Sequence, residues 1–561
     1  MQARERKNLL YLFFYGMITL FPDLWAGRVG IMEARNFVTA REMVQNGNWI
    51  ITTMNGKFRF EKPPFPTWLT ALFMKFFNTT TNEFVLRLPI AICTLGLIFL
   101  IYFLVKSATE NPELAFISGF VSTTTFMIIK LGNDNAWDMF PYIFMFGCVT
   151  YIFIGLKSLN TRDFIISGVF MGASLLSKGP IPVYGMMLPF FVAYSVTYGF
   201  SNIRVSWKKI SLTIIIGVSL AALWPAAIML TQKDLFISVM NKEASTWSNK
   251  HVKSIFYYFD YIIYIGVWMI FALASFFKKW SEKRSPDNKF FSMLFLWNLI
   301  TFVLISLIKM KKKRYGVPLY ILTPMMASHL IFYFMNKDWK ELVKKENFII
   351  KIHTILMVTI SILIFPMFYF KGYRSGYIGI IYLSFIAVVF LFFSYEFIMG
   401  FTEKRKIKQI LFLTGFLMIT INISVTWFVQ KYVKTEYRNE YKYLSTLKSS
   451  GPQEYPIYTF DDDEITNVWN VGQKIELIGD LQELPNNFFV LDDREEPLIK
   501  EKFRTEFIIK SKNTYYKYRE ESLIKKTLSP KFIIKSKNTY YKYEDEDKVI
   551  YLYRMAKSTK N

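Results

Sequence analysis

Apolar runs long enough to cross a lipid bilayer recur along most of this chain and leave few architectures open to it. A hydrocarbon core about 30 Å thick takes about 20 residues of helix. Runs of roughly that length occur near 9–26, 86–105, 114–131, 139–157, 163–177, 180–200, 210–231, 258–277, 290–308, 316–335, 349–370, 377–400 and 409–430, thirteen in all. Backbone polar groups find no water in lipid, so such runs must close their own hydrogen bonds as helices. The 561 residues are 52% hydrophobic and 18% aromatic, which fits a chain whose solvent is mostly lipid. The net charge of +25 could suggest nucleic acid, but Lys and Arg sit mainly between the runs, where they orient spans and meet anionic headgroups. The two cysteines, Cys93 and Cys148, both lie inside apolar runs and build neither a disulfide framework nor a thiolate zinc site.

The first run follows Arg4, Arg6 and Lys7 and lacks a small-residue cleavage site, so it reads as a retained span. Thirteen spans put the termini on opposite sides. Lys and Arg are denser in the loops that would be inner with a cytoplasmic N-terminus, which sets that orientation. The outer face then receives a first loop over 27–85, the loop 232–257 and the tail. The expected domains are a transmembrane catalytic domain over 1–432, including the loop 27–85, and a small extracytoplasmic α/β domain over 433–561. In the first loop, Ala34, Phe37, Ala40 and Val44 form one helical stripe followed by Gly47. That pattern predicts an amphipathic helix along the membrane surface with a glycine C-cap. The tail alternates strand patterns (YPIYTF, KIELIG, NFFVLDD, KVIYLYRM) with charged turns. It also carries FIIKSKNTYYKY twice, at 507–518 and 532–543, each copy reading as strand, polar turn, strand. Two copies do not make a solenoid and are assigned no chemistry.

Several segments carry chemistry. In RFEKPPFPTWL (59–69), prolines stiffen the backbone and hold Glu61 and Lys62 in fixed directions; a plain interfacial anchor is the alternative. KMKKKRY (309–315) puts five cations on the outer face, against the rule that orients the rest of the chain, and fits an anionic ligand such as a lipid phosphate or, alternatively, ordinary headgroups. Asp134 and Asp138 in GNDNAWDMF, Lys178 in SKGP and Glu243 in NKEASTW lie near span ends on the same face. Charges there are costly unless paired or used, although Asp138 also suits a helix N-cap. The cluster DDDE (461–464) reads as a solvated turn or helix start, and His251, His329 and His353 are too scattered to pair on zinc.

EARNFVTAREM, NGNWI, MNGKFRFEKPPFPTWL, WDMF, SKGP and KKKRY, in this order over roughly the first 330 residues, resemble the GT-C membrane glycosyltransferases. The likeness is to the branch of the aminoarabinose lipid A transferases and dolichyl-phosphate-mannose protein O-mannosyltransferases. It implies an α-helical polytopic fold of about thirteen spans with a C-terminal extracytoplasmic α/β domain, in a bacterial-type inner membrane. It also implies transfer of a sugar from a polyprenyl-phosphate donor of the undecaprenyl type to a lipid, glycan or protein acceptor in the cell envelope. The family's first outer loop carries an acidic pair and then an arginine; here those positions read Met32, Glu33 and Arg35. The role of base therefore passes to Glu33, with Asp138, which matches the family's second outer acid, as the other candidate. Arg35, Lys62, Lys313, Arg314 and Tyr315 fall where the donor phosphate is bound, with Lys178 and Glu243 as possible additions. Glu61 matches a position that can ligate a divalent metal, but its histidine companion is missing from the segment Lys242–Trp247, which leaves metal dependence open and unsupported.

The expected reaction is displacement at the anomeric carbon. A carboxylate takes or orients the nucleophile's proton, and cations stabilise the departing phosphate. Rival readings are a transporter or flippase of lipid-linked sugars, which would call for inverted repeats and mid-membrane charges, and a scaffold whose sugar site has decayed, which Met32 favours.

Overall fold

The computed structural model describes residues 2–438 except 28 and 250, and in the tail residues 442–443, 455–460, 465–478, 484–485, 487–492, 507–516 and 549–557. The DDDE cluster and the second copy of the repeat lie outside the described residues. Helices occupy every apolar run: α1 (Gln2–Leu20), α4 (Glu83–Thr109), α5 (Pro112–Thr123) with α6 (Phe126–Gly132), α7 (Phe140–Ser158) and α8 (Thr161–Lys178) in the first part, with eight further runs after them. Among the described residues, nine helices are long and apolar enough to cross a membrane, or ten if α5 and α6, bent by 65° at their junction, form one span. The runs that fall short do so for visible reasons. Helix α1 opens on Arg4, Glu5, Arg6 and Lys7, α8 holds Arg162, Asp163 and Lys178, and the segment Val183–Tyr198 is short.

Local sequence sets the helix starts. Asn82, Asn111 and Asn160 accept backbone N–H bonds at the first turns of α4, α5 and α8, and Pro112 follows its cap where a missing N–H costs nothing. In lipid, helices associate through close backbone approach rather than through exclusion of water. Helix α8 meets Trp207–Thr231 this way: a Cβ added at Gly168 would lie 2.8 Å from Ile216, and one at Gly217 would lie 2.6 Å from Met171.

Between α1 and α4 the chain builds a non-spanning layer at one end of the bundle. It consists of α2 (Ile31–Asn46), the two-stranded hairpin β1 (Thr53–Met54) and β2 (Lys57–Phe58), and α3 (Phe65–Phe76). Helix α2 ends as expected on Gly47, whose φ of +69° is the left-handed C-cap conformation. Its apolar stripe was expected to lie on the membrane surface. In the structure Ala34, Phe37 and Ala40 are instead buried in protein, packed with Ala71 and Met74 of α3 and with Val468, Trp469 and Ile475 of the tail.

After the last long helix, Ile407–Arg438, the described tail residues form a six-stranded mixed sheet and one helix, Ile465–Val471. The sheet comprises β3 (Lys442–Tyr443), β4 (Ile457–Thr459), β5 (Ile475–Leu477), β6 (Asn487–Asp492), β7 (Phe507–Tyr516) and β8 (Val549–Lys557), in the order β3-β7-β8-β6-β4-β5. All four strand patterns noted in the tail fall on strands. The first copy of the repeat differs from its reading: residues 507–516 form one strand with an irregularity between Ile509 and Ser511, because β8 pairs with it along its whole length. A continuous partner satisfies the polar middle, which as an isolated hairpin would have turned.

The tail docks on α2 through named contacts. Phe37 and Trp469 have ring centroids 5.0 Å apart, an Arg41 guanidinium nitrogen donates to the Val468 carbonyl at 3.2 Å, and Asn55 exchanges two hydrogen bonds with the Ile475 backbone at 2.8 and 2.9 Å. Trp469→Ala empties a buried site where loss of a tryptophan costs about 3–5 kcal/mol. The expected result is faster proteolytic release of the tail with the helical bundle intact; unchanged proteolysis would show that the tail is held elsewhere.

Candidate active site

The site lies where the non-spanning layer meets the starts of α7 and of the helix Val317–Met335. Residues 133–139, between α6 and α7, carry Asp134 and Asp138 and are fixed by polar groups from three helices. Asn135 donates its backbone N–H to Glu33 at 3.1 Å and its amide to Thr70 at 2.9 Å and to the Leu86 carbonyl. Asn36 donates to the Asn135 carbonyl at 3.0 Å. Glu33 itself is clamped by Arg87 of α4 in a buried two-pronged pair, Nε and Nη2 at 2.7 and 2.8 Å. Arg87 also donates to the Leu24 and Gly27 carbonyls, both at 2.9 Å, so one guanidinium ties α4, the end of the first span and α2 together.

Asp138 is buried, with Lys178 of α8 on one oxygen and Arg314 on the other at 3.2 Å. Burial pushes its carboxyl up, but Lys178 and Arg314 outweigh that and hold it below the usual carboxylate range. Arg314 reaches on to Asp134 at 3.3 Å. The Lys178 ammonium also sits over the Tyr315 ring, 4.3 Å from its centroid. Lys62 pairs with Glu243 at 3.0 Å, so the stiffened proline loop is joined to the helix Lys233–Asn249. Beneath that loop, Arg59 donates to the Arg35 carbonyl and Thr39 hydroxyl at 2.7 and 2.8 Å and stacks on Trp137, and burial pulls its guanidinium down to about 10. Glu61 lies 3.9 Å from Arg59 and is partly exposed. Among the described residues no three His, Cys, Asp or Glu side chains gather as a metal site.

The five cations of KMKKKRY are distributed to different partners. Lys311 turns into the carbonyls of Lys253 and Ile308. Lys313 is carried away to Asp260, 2.6 Å from each oxygen. Arg314 alone joins the aspartate pair. A short antiparallel pairing of Val252 with Met310 holds the segment in place. Arg35 and Lys312 have no carboxylate partner among the described residues. Burial lowers the Lys312 ammonium; Asp138 acts against that, and Arg314, Arg35 and Lys62 add to it, which places Lys312 within the same cationic field.

A cavity opens between these groups. Lys62, Asp138 and Lys178 form its charged end, Trp137, Tyr142, Tyr258 and Tyr315 line its middle, and Met32, Ile181, Ile305, Ile308 and Met310 complete an apolar wall. The structure thus brings Asp138, Lys62, Lys178 and Tyr315 into one cavity, with Arg314 bonded to Asp138 and Glu243 to Lys62, and with Arg35 within reach of the same field through Lys312. It holds Glu33 behind the wall and Lys313 outside. The sequence reading passed over Arg87, although a lone arginine inside the run LRLPIAIC is the kind of charge that a span keeps only for a partner. The aliphatic wall had no sequence signal, since its residues look like any others in their spans.

Comparison with known proteins fits this geometry. A family model described as dolichyl-phosphate-mannose-protein mannosyltransferase matches residues 61–227. The chain is 26% identical over 344 residues to the undecaprenyl phosphate-alpha-4-amino-4-deoxy-L-arabinose arabinosyl transferase of Shewanella sediminis, a match covering 58% of this chain and 60% of that one. A counterpart from Proteus mirabilis is 25% identical over 334 residues, 56% of this chain and 58% of its own. The matched stretch therefore spans less than two thirds of these relatives' length. The crystal structure of ArnT from Cupriavidus metallidurans bound to undecaprenyl phosphate superposes with a TM-score of 0.67 at 15% identity, over 90% of this chain and 96% of that chain. In fold, this chain is similar to ArnT. The chain carries Met32 of α2 in the cavity wall, at the place where the family resemblance called for an acid.

Proposed function

We propose that the chain is a glycosyltransferase that moves a sugar from a polyprenyl phosphate of the undecaprenyl type to a lipid, glycan or protein acceptor on the extracytoplasmic face of a bacterial-type inner membrane. One observation carries the reading: a cavity with a mostly apolar and aromatic lining also holds the Lys62 and Lys178 ammonium groups, the combination that suits a ligand with an apolar part and a phosphate. Lys178 and Arg314 are balanced by Asp138 and Asp134, and Lys62 by Glu243. Arg35 and Lys312 are left as the surplus positive charge, available to a phosphate. The relatives' names supply the first donor to try, undecaprenyl phosphate carrying 4-amino-4-deoxyarabinose.

Thirteen spans, a cytoplasmic N-terminus, a catalytic part over 1–432 and an extracytoplasmic α/β part over 433–561 complete the proposal. The common side of site and tail is supported by the docking of the tail on α2, whose Met32 lines the cavity; the span count rests on the thirteen apolar runs. In the reaction the acceptor oxygen attacks the anomeric carbon, and the bond to the phosphate oxygen breaks with its electron pair going to the lipid phosphate. Lys62, Arg35, Lys312 and Arg314 stabilise that growing charge in a site poor in water. Glu33, locked to Arg87, positions the loop of Asp134 and Asp138 through the Asn135 N–H.

The test is transfer of labelled sugar from the lipid donor to envelope acceptors by the full chain in membranes. Lys62→Ala is expected to lower transfer by about 10²-fold or more, the effect of removing one donor from a preorganised anion site, with normal membrane insertion. Wild-type turnover in that variant would remove Lys62 from the site. Absence of product from the native chain, with donor moved across the bilayer instead, would favour transport.

A further inference from the structure

Three carboxylates bear on the charged end of the cavity, Asp138 in its lining, Asp134 beside it on Arg314 and Glu33 behind the wall, and they differ in what their oxygens already do. Both Glu33 oxygens are taken by Arg87 at 2.7 and 2.8 Å, with the Asn135 N–H as a further donor. Both Asp138 oxygens are taken, by Lys178 and by Arg314. Asp134 receives one long bond, from Arg314 to Oδ2 at 3.3 Å, and its Oδ1 accepts none among the described residues. Its side chain is 28% exposed, against 6% for Glu33 and 5% for Asp138. We propose that Asp134 is the proton acceptor of the transfer reaction, which makes the acceptor nucleophile a hydroxyl rather than an ionised group.

This rests on the transferase reading. As the acceptor O–H attacks the anomeric carbon, its proton passes to Asp134 Oδ1, the new C–O bond forms, and the old one breaks toward the lipid phosphate. The proton then leaves to water at the exposed edge. A base must be accessible and only lightly bonded; a carboxylate clamped by two cations is a weak acceptor of protons. Three elements bring charged groups to Asp134: Glu33 from α2, Arg87 from α4 and Arg314 ahead of Val317–Met335, with Asp138 from its own loop. Burial raises its carboxyl above the usual carboxylate range first, Glu33 and Asp138 add to that, and Arg314 and Arg87 oppose it. With Met32 in place of the family's acid, the free carboxylate lies on the neighbouring loop.

The deciding experiment is the pH–rate profile of labelled-sugar transfer by full-length protein in membranes, for wild type, Asp134→Asn and Asp134→Glu, alongside binding of undecaprenyl phosphate. Wild-type activity is expected to fall toward acid through a limb displaced above the ordinary carboxylate range. Asp134→Asn is expected to bind undecaprenyl phosphate no more weakly than wild type, since Arg314 loses a counter-ion, to lose about 10²- to 10⁴-fold in rate and to lose the acidic limb; Asp134→Glu recovers part of both. An Asp134→Asn protein that keeps its rate, or is slow but keeps the limb, overturns the proposal. If Asp134→Asn fails to bind the lipid, the Asp134→Glu profile decides, a displaced limb supporting the assignment and an unmoved one rejecting it. No transfer by wild type at any pH would instead overturn the transferase reading itself.

Discussion

Asp138→Asn is expected to cut turnover by about 10²- to 10³-fold, the range for losing one preorganised electrostatic contact, while undecaprenyl phosphate binds more tightly than to wild type. The opposed signs follow from the ion pairs. Asp138 is buried and faces two cations, Lys178 and Arg314. Removing its charge leaves both without their shared counter-ion in a cavity that must accept a phosphate, so a resting anion gains affinity. On the proposed reaction, the same change frees the Arg314 guanidinium from the position in which it would meet the departing oxygen, and interactions equal in ground and transition states do not speed the chemical step. Parallel measurement of donor binding and single-turnover rate separates the two effects. Asp138 does not cap α7, whose N-cap is Met139 without a side-chain bond, so a variant with weaker binding and an unchanged rate would remove Asp138 from the chemical step.

The second large effect concerns folding. Arg87→Ala removes one partner of a buried ion pair and leaves Glu33 as an uncompensated carboxylate, a change that costs about 3–5 kcal/mol in buried pairs. Four acceptors lose their donor at once: the two Glu33 oxygens and the Leu24 and Gly27 carbonyls. The expected outcome is a lowered thermal unfolding transition of detergent-purified protein and low accumulation in membranes. The double variant Arg87→Met with Glu33→Gln should restore much of the stability, since both charges are then gone. Equal stability of wild type and Arg87→Ala would mean that solvent reaches Glu33. The pair also explains why Glu33 is a poor reporter of catalysis: Glu33→Gln acts on Asn135 and the aspartate loop before it acts on any proton.

Much of the architecture was legible because apolar length and periodicity are local properties. The bundle, the helix over Ile31–Asn46 with its Gly47 cap and the tail strands can be read from 20 consecutive residues or fewer, with about 20 being what a membrane span takes. The site was half legible. Asp138, Lys62, Lys178 and Arg314 stood out because charge at a membrane edge demands an explanation, and tertiary structure brings the first three to one cavity and Arg314 onto Asp138. Lys313 carried the same signal and went to Asp260 instead, since residues adjacent in an extended segment point to different sides. The apolar stripe of α2 has the pattern of a lipid-facing helix and is covered by the tail, because periodicity reports that a face is buried and not what buries it.

The sequence by itself determined that this protein is a polytopic helical membrane chain with its chemistry-bearing charges gathered at span ends, because hydrophobic length and the cost of charge in lipid act on each segment separately. Tertiary structure alone decided which acids are free. Glu33, Asp134 and Asp138 are equivalent carboxylates in one dimension, and they become an anchor, an open oxygen and a clamped counter-ion only when Arg87, Arg314 and Lys178 arrive from other helices.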